Sequence, residues 1–413
     1  MILHRIGTRF TRVLSSLPKF GLEGGSANSK AMSTIPPPDV LKKKPNIPEK
    51  SLFGPGPSNM SGQIQASLNN PLLGHLHSEF TQIMDDCKAG LQYLFQTKNR
   101  LTFAVSGTGH AGMECAVMNL LEPGETFLVV QNGIWGVRAA ALGTRLNLNV
   151  QTIKVPEGQV AILDQIKESV EIHKPKVLFV CHGESSTGVA HPLNGIGEIC
   201  HSNGTLFLVD TVASIGGAEF NADELGVDCV YAATQKVLNA PPGLAPISFS
   251  PRALEKIKSR KTPVVSFYFD ALELGNYWGC FDEPRRYHHT GIISLVYALR
   301  ASLAQIAEER IENLLNRHKS NAKHLYKSLK EAGFEPFNLR LPCLTTVKVP
   351  EGVDWKKVAD TLMAQKIEIA GGLGPTAGKI WRIGTFGINS DQQKIDRVIS
   401  ALKTAVAENQ AKI

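Results

Sequence analysis

From residue 101 onwards the chain alternates short apolar runs with amphipathic stretches. The runs have the length and the β-branched content of buried strands, and most are followed by a stretch with helical periodicity. They are LTFAV (101–105), TFLVV (126–130), KVLFV (176–180), TLFLV (205–209), VDCVYAA (227–233) and GLAPISFS (243–250). This alternation predicts a mostly parallel sheet with helices on both faces, because parallel strands are joined by crossover connections that are usually helical.

A long helical pattern at 291–333, for which Gly333 is a suitable end, separates this region from a second alternation. There a strand (LTTVKV), a helix, two strands (IEIAG and IWRIGTFG) and a closing helix follow one another. We therefore predict an α/β fold with a smaller α+β domain at the carboxyl terminus. The predicted divisions are an extension at 1–32, a proline-rich arm at 33–55, a large domain at 56–290, a linking helix at 291–333 and a small domain at 334–413.

Composition excludes several classes of protein. The 413 residues are 43% hydrophobic and 20% charged, as is usual for a globular protein. The formal net charge is +7, but residues 1–32 hold five basic residues and one acidic residue, so the remainder is only weakly basic. We therefore predict no nucleic-acid partner, and no membrane partner, because no apolar run approaches the roughly 20 residues of a spanning helix. The seven cysteines form no CxxC pair, which indicates a reducing compartment.

The two ends of the chain bear on its location. The first 20 residues, MILHRIGTRFTRVLSSLPKF, contain arginine, serine and apolar residues and no acid. This composition is typical of a mitochondrial transit peptide and lacks the long apolar core of a secretory signal. The last three residues, Ala411-Lys412-Ile413, weakly resemble a peroxisomal address. We predict a mitochondrial location, with the peroxisome as the alternative.

Two charged residues follow two of the predicted strands. Asp210 ends the run TLFLV, and Lys236 comes 26 positions later, just after VDCVYAA. Ligands of open α/β sheets bind at the carboxyl ends of the strands. A lysine there can form a Schiff base with a pyridine aldehyde, and an acid can keep the ring nitrogen protonated so that the ring accepts electrons. A structural ion pair is the alternative interpretation.

The turn S-G-T-G-H-A-G at 106–112 follows the first of these strands. It contains GxGxxG, so a dinucleotide site is one hypothesis. That fingerprint requires an acid at the end of the next strand, but the strand TFLVV is followed by glutamine and asparagine. The amides of a glycine-rich turn at a helix N-terminus still suit a phosphate. We expect Thr108, Gly109 and His110 to hold one, and tight helix–strand packing is the alternative.

Five other side chains are candidates for ligand contacts. Trp135 follows a strand at the same edge, where an indole can stack on a ring, and Ser185 follows another strand, in GESSTG. Arg382, in WRIGTFG, can bind a carboxylate bidentately. Ser58 and Asn59 offer donors in the turn-rich segment SLFGPGPSNM, whose glycines allow close approach of the backbone. Each of these residues also has an ordinary structural interpretation.

Histidines do not predict a metal site. The run Tyr287-His288-His289-Thr290 contains an adjacent pair, and His75 and His77 are close in sequence. Neither pair has a third ligand at a useful spacing. We therefore predict that the protein holds no metal.

Together these motifs resemble the alanine–glyoxylate / serine–pyruvate aminotransferase family, among the class V pyridoxal 5′-phosphate (PLP) dependent aminotransferases. GPGPSN, SGTGHAG, IWG, HGESSTG, VDTVAS, TQK, YHHT and RIG occur in the family's order with closely matching spacing, over about residues 38–410. The resemblance implies the PLP-dependent transferase fold type I. It also implies a homodimer whose active sites lie at the subunit interface.

The resemblance implies a role for each candidate residue. Lys236 matches the Schiff-base lysine, and Asp210 matches the partner of the pyridine nitrogen. Cofactor contacts are implied for Thr108, Gly109, His110, Trp135, Ser185 and Gln235. Substrate contacts are implied for Ser58, Asn59 and Arg382, of which the arginine would bind the α-carboxylate. Tyr287 and Thr290 match residues that reach the cofactor phosphate of the neighbouring subunit.

The implied reaction is a ping-pong transamination between small amino acids and 2-oxo acids. Alanine or serine would donate an amino group to glyoxylate or pyruvate, with Lys236 carrying the α-proton as a general base. One alternative on the same fold is transamination of 3-hydroxykynurenine to xanthurenate. A less favoured alternative is a PLP-dependent lyase or cysteine desulfurase, which needs a mobile catalytic cysteine, for which Cys343 is the candidate.

Overall fold

The computed structural model describes residues 35–337 and 341–410. The transit-like segment at 1–32 and the terminal tripeptide Ala411-Lys412-Ile413 lie outside the described residues. The described residues divide into two units, with the boundary between residues 48 and 49. The described part of the first unit is exposed and holds one 3₁₀ turn, Asp39–Lys42, with an ion pair between its end residues at 2.6 Å. All candidate site residues belong to the second unit.

The second unit contains fourteen strands among the residues that the structure describes. They are β1 (Ser51–Leu52), β2 (Leu101–Ser106), β3 (Thr126–Gln131), β4 (Asn149–Lys154), β5 (Val177–Cys181), β6 (Gly183–Glu184), β7 (Val189–Ala190), β8 (Leu206–Asp210), β9 (Cys229–Tyr231), β10 (Leu244–Phe249), β11 (Leu344–Lys348), β12 (Ile367–Glu368), β13 (Ala370–Gly371) and β14 (Ile380–Gly384).

Twelve α-helices occur in the same described part. They are α1 (Gly62–Ser67), α2 (Ser78–Phe95), α3 (Gly109–Leu120), α4 (Ile134–Arg145), α5 (Leu163–His173), α6 (Ile196–Ser202), α7 (Pro251–Lys258), α8 (Ala271–Tyr277), α9 (Ile293–Glu309), α10 (Ile311–Glu331), α11 (Trp355–Ala364) and α12 (Gln392–Gln410).

A seven-stranded sheet in the order β2-β10-β9-β8-β5-β3-β4 holds the main core. β10 runs antiparallel to both of its neighbours, and the other pairs are parallel. This confirms the prediction of a mostly parallel α/β sheet. Strands β2, β5, β8 and β10 are buried at every position, which explains why their sequences are continuous apolar runs without alternation.

A second hydrophobic core lies towards the carboxyl terminus. There β11, β14 and β13 form an antiparallel sheet. Its largest fully buried side chain is Trp381, packed with residues of α10, α11 and α12. Phe53 belongs to this core, and β1 pairs in parallel with β12. Since residues 49–413 form one compact unit, the division at 56–290, 291–333 and 334–413 remains a prediction.

The helical pattern at 291–333 is two helices rather than one. α9 and α10 are separated by Arg310, whose φ of 65° lies in the left-handed region that ends a helix. Gly333, with a φ of 81°, follows the end of α10 as the sequence predicts. Within the described part of the chain, no helix has both the length and the apolar character that crossing a membrane requires.

Candidate active site

Lys236 lies in the turn that follows β9, buried beneath the Gly-Pro-Gly-Pro segment. Its Nζ donates to the carbonyl oxygen of Pro55. Gly56 has a φ of 105°, and a Cβ added there would lie 2.6 Å from Nζ of Lys236. Only glycine therefore lets this segment pass so close to the lysine.

The turn that carries Lys236 is fixed by side chains from distant parts of the chain. The Ser58 hydroxyl donates to the carbonyl oxygen of Lys236 at 2.6 Å. Asn239, whose φ of 52° an asparagine tolerates, donates to Ser58 Oγ at 2.8 Å and accepts from the amide of Ile388 at 2.8 Å. Burial lowers the pKa of Lys236 to about 8, and the positive charge of Arg382 acts in the same direction. The amine is therefore held closer to its neutral, nucleophilic form than an exposed lysine.

Asp210 ends β8 at the carboxyl edge of the sheet and is fully enclosed. One carboxylate oxygen accepts from the Val212 amide at 2.8 Å, and the other accepts from the Tyr231 hydroxyl at 2.6 Å. Burial raises the pKa of Asp210 to about 6, against the lowering effects of these two donors and of Lys236. The charges of Asp210 and Lys236 thus influence each other's pKa, and their roles toward a cofactor remain predictions.

The phosphate turn opens helix α3. Thr108 is the N-cap residue and has extended backbone, and the helix begins at Gly109. The amide of Ala111 already donates to the carbonyl of Thr108 at 2.8 Å. The amides of Gly109 and His110, at the very start of the helix, have no carbonyl of a preceding turn to bind, so they suit an anion together with the helix dipole. Behind them, a Cβ on Gly109 would come within 3.1 Å of the Val212 side chain, so glycine also permits close packing there. The turn therefore has the close packing of the alternative interpretation and amides that suit a phosphate, and phosphate binding there remains a prediction.

Trp135, Ser185 and Arg382 meet at one wall of the site. Trp135 Nε1 donates to Ser185 Oγ at 2.8 Å, and the indole lies edge-on to His110 with the ring centroids 5.5 Å apart. Arg382 is buried, and it donates to the carbonyl oxygens of Ser185 at 3.2 Å and Gly371 at 2.8 Å. Neither acceptor is charged, so the guanidinium retains a positive charge that an anionic ligand can neutralise.

One cavity brings together eight of the predicted residues. Its walls comprise Thr108, Gly109, His110, Trp135, Ser185, Asp210, Gln235 and Lys236, together with Met113, Gly183, Val212 and Ala213. Oε1 of Gln235 is buried at this cavity and has no hydrogen-bond partner among the described residues. A buried amide oxygen without a partner is costly, so the cavity suits a ligand that brings a donor. The donors, the acid and the lysine all fit PLP.

Five predicted residues are not part of that cavity wall. One is Arg382, which reaches the wall through its hydrogen bond to the carbonyl of Ser185. Ser58 holds the lysine turn as described. Asn59 accepts from the amide of Leu52 at 2.8 Å and donates to the carbonyl of Lys50 at 2.8 Å. Their contacts with substrate remain predictions. Tyr287 and Thr290 are exposed, with their hydroxyl groups 3.4 Å apart, and their role at a neighbouring subunit also remains a prediction.

Two buried residues of the site, Tyr231 and Glu184, are not among those predicted from the sequence. Tyr231 lies at the end of β9 among apolar residues, and its hydroxyl donates a hydrogen bond to Asp210. Glu184 immediately precedes Ser185 and accepts from the amide of Trp135 at 3.1 Å. In the sequence, the tyrosine is marked only by its hydroxyl within a buried apolar strand. The glutamate is marked only as an acid in a motif otherwise made of small residues.

Cys343, the candidate nucleophile of the lyase alternative, is not on an open loop. It is fully buried in the turn before β11, and its Sγ donates to the carbonyl of Ala213 at 2.9 Å. Burial raises the pKa of Cys343 to about 12, so the reactive thiolate is disfavoured. The arrangement opposes a desulfurase mechanism.

The fold and the residues that line the cavity together define a class of enzyme. A buried lysine near a buried carboxylate, beside a helix N-terminus that suits a phosphate, is the site of a PLP-dependent enzyme. Solved structures support the architecture: a crystal structure of alanine–glyoxylate aminotransferase from Nostoc sp. superposes with a TM-score of 0.87 and 42% identity, covering 90% of this chain and 100% of that one.

Sequence comparisons give the family. The model of the family described as aminotransferase class-V matches residues 59–398. The chain is 47% identical to an alanine–glyoxylate aminotransferase of Mus musculus, over 90% of this chain and 91% of the relative. It is 44% identical to one of Drosophila melanogaster, over 90% and 96% respectively. The chain belongs to the class-V aminotransferases, and its cofactor is PLP.

Proposed function

We propose that this aminotransferase moves the amino group of alanine to glyoxylate, with serine and pyruvate as a second donor and acceptor. The observation that carries this proposal is the buried Arg382 guanidinium, which binds two neutral carbonyl oxygens and sits close enough to Lys236 to lower its pKa. All four substrates carry a carboxylate next to the reacting carbon, and such a group complements this arginine. The names of the relatives from mouse, fly and Nostoc support the pair alanine and glyoxylate.

The residues of the chain divide the work of the reaction. When bound, PLP supplies the aldehyde that takes up the amino group and a ring that withdraws electrons. Lys236 holds the amine that would receive the α-proton and return it, and its lowered pKa suits both directions of transfer. Asp210 would hold a proton at the ring nitrogen. Arg382 would orient the substrate so that the bond to the α-proton points at the lysine.

The alternative substrate is not favoured. The relatives described above are named for alanine and glyoxylate. Their names give no support to 3-hydroxykynurenine as the substrate. The test is to follow the absorbance of the bound cofactor in single half-reactions with alanine, serine and 3-hydroxykynurenine, and then to add glyoxylate. Rapid conversion by alanine, reversed by glyoxylate, is expected. Conversion by 3-hydroxykynurenine alone would contradict the proposal.

We also propose that the enzyme works as a homodimer with shared sites. Support comes from exposed side chains around Tyr287, among them Phe267, whose ring stacks on His288 with centroids 5.0 Å apart. Mixing inactive Lys236→Ala and Tyr287→Ala subunits tests this, because a mixed dimer contains one native site. Statistical pairing restores about a quarter of the native sites. No recovery after subunit exchange would contradict shared sites.

We propose a mitochondrial location on the composition of residues 1–32, with the peroxisome as the alternative suggested by the carboxyl terminus. A fluorescent protein fused after residues 1–32 is expected to reach mitochondria. A matched fusion in which Arg5, Arg9 and Arg12 are replaced by glutamine should remain diffuse. Diffuse fluorescence of the first fusion would contradict the proposal.

A further inference from the structure

Glu184 is a fully buried acid beside the cavity, and its carboxylate accepts three hydrogen bonds. One oxygen accepts from the amide of Ser186 at 2.9 Å and from its hydroxyl at 2.6 Å. The other accepts from the amide of Trp135 at 3.1 Å. Because Trp135 lies in the first turn of α4, the carboxylate supplies an acceptor that the helix itself lacks. The acid therefore holds the backbone of the tryptophan in place.

The two residues after Glu184 complete the attachment. Ser185 accepts from the indole of Trp135 through its hydroxyl and from Arg382 through its carbonyl. Ser186 Oγ accepts from the amide of Ile134 at 3.2 Å. Backbone and ring of Trp135 are thus both bound to one three-residue turn, 184–186, and the same turn binds Arg382.

Space around the carboxylate is also limited. A Cβ added to Gly133 would lie 2.2 Å from the carboxyl carbon of Glu184. Burial raises the pKa of Glu184 to about 7, against the lowering effects of the donors from Ser186 and Trp135, and the charge of Asp210 raises it further. Arg382 interacts electrostatically with Glu184. The acid is therefore enclosed by the groups that it holds.

We propose that Glu184 is a positioning residue that fixes Trp135 and Arg382 relative to each other through the turn 184–186. Cofactor stacking at the tryptophan and carboxylate binding at the arginine then depend on one rigid element. This inference rests on the proposed roles of these two residues. It assigns to Glu184 no contact with cofactor or substrate.

Glu184→Gln tests this proposal. Glutamine has the same shape as glutamate, but its NH₂ group would replace one of the two oxygen acceptors and would face an N–H or O–H donor whose hydrogen bond it cannot accept. We expect the dissociation constant for PLP and the KM values for donor and acceptor to rise about tenfold, because that is the effect of losing one hydrogen bond to a charged group. The value of kcat should change less than about threefold. The control is Glu198→Gln, an exposed acid on α6, which should leave all of these values unchanged.

A second measurement needs neither cofactor nor substrate. The near-ultraviolet circular dichroism of the apoprotein contains a contribution from Trp135, obtained by subtracting the spectrum of Trp135→Phe. Glu184→Gln should reduce that contribution, and Glu198→Gln should not. If the wild type fails to convert alanine and glyoxylate, the proposed substrates are wrong, but this signal and the affinity for PLP still decide the role of Glu184.

Ser186→Ala provides a milder variant if Glu184→Gln does not fold. It removes one donor to the carboxylate and the acceptor for Ile134 while leaving the acid intact. It should change the PLP affinity and the Trp135 signal in the same direction by a smaller amount. Unchanged values in the folded variants, or a loss in kcat alone, would overturn the proposal.

Discussion

Tyr231 and Asp210 are paired across adjacent strands and share a buried hydrogen bond of 2.6 Å from the phenol to the carboxylate. Burial alone would keep the acid neutral, because an unpaired charge in a closed interior is costly. The hydroxyl opposes this effect, as does the Val212 amide. The sheet thus holds Asp210 where a small change in its surroundings shifts its protonation. In the proposed mechanism this acid is ionised when it holds a proton on the cofactor ring.

Tyr231→Phe should therefore narrow the pH range of activity. Without its donor the neutral form of Asp210 is favoured, so the pKa of the acid rises and the acid-side decline of kcat moves to higher pH. A shift of about one pH unit is expected, since a hydrogen bond to a charged group is worth about 1.5–3 kcal/mol and one pKa unit is about 1.4 kcal/mol. Tyr297→Phe, which removes a hydroxyl bound to the carbonyl of Pro71, is the control. Superimposable kcat–pH profiles for Tyr231→Phe and the wild type would contradict this role.

The same acid predicts how the stability of the apoprotein depends on pH. The pKa of Asp210 rises from an ordinary value of 3.8 to about 6 in the folded state, so folding favours the protonated form. This contribution is fully present below pH 3.8 and is lost as the pH rises through about 6, and its full size is about 3 kcal/mol.

Asp210→Asn removes that dependence. Its amide can accept from Val212 and donate to the oxygen of Tyr231. We expect the stability of the variant relative to wild-type apoprotein to increase between pH 4 and pH 8, measured by urea unfolding. Glu184 titrates in the same range, and the charge of Asp210 raises its pKa, so the comparison is repeated in a Glu184→Gln background, where that contribution is absent. An equal difference at both pH values would show that Asp210 does not have the raised pKa.

Lys236→Ala should abolish turnover and the visible absorbance that the lysine gives to bound PLP. A general base contributes typically about 10² to 10⁴-fold to rate. In the proposed mechanism the same residue also anchors the cofactor, so the loss should exceed that range. Lys403→Ala, on the exposed face of α12, is the control. Retained activity in Lys236→Ala would refute the assignment.

The parts of the site that sequence predicts are those set by position along one strand or turn. Asp210 directly follows one apolar run and Lys236 lies three residues after another, and the carboxyl ends of such strands meet at one edge. The turn at 106–112 is predictable because a glycine-rich loop directly opens a helix. These features depend on neighbouring residues, so they are visible in a single sequence.

The parts that sequence does not predict depend on contacts between distant residues. Ser58 holds the turn of a residue 178 positions away, which its local sequence does not reveal. Glu184 acquires its role from helix α4. The break at Arg310 has no glycine or proline to mark it, and the helical pattern continues across it. Contacts between distant residues accompany all three, and at the break the amide of Ile311 donates to the hydroxyl of Tyr93 at 2.9 Å.

Arg382→Ala should weaken substrate binding and spare the cofactor. The guanidinium is buried, and its two observed acceptors are neutral carbonyl groups. The charge of Glu184 acts on it without a hydrogen bond between the two among the described residues, so the substrate carboxylate is expected to be its direct anionic partner. Loss of a buried charged contact costs about 2–5 kcal/mol, which corresponds to an increase in KM of at least about 30-fold for alanine and for glyoxylate alike. Arg382→Lys should recover only part of this, because a lysine cannot form two parallel hydrogen bonds. Unchanged KM values with a weakened PLP affinity would assign the arginine to the cofactor instead.

Gly56→Ala tests whether the segment above Lys236 must lie as close as it does. The new Cβ would lie 2.6 Å from Nζ, and the φ of 105° is unfavourable for any other residue. Either the segment or the lysine must move, so we expect a lower melting temperature and a weaker affinity for PLP.

The matched control is Gly62→Ala, at the start of α1, where an added Cβ meets no atom within 4 Å. That variant should keep wild-type cofactor binding and gain slightly in stability, because alanine favours a helix over glycine by roughly 1 kcal/mol. Equal PLP affinities for the two variants would show that the close approach of Gly56 to Lys236 has no part in cofactor binding.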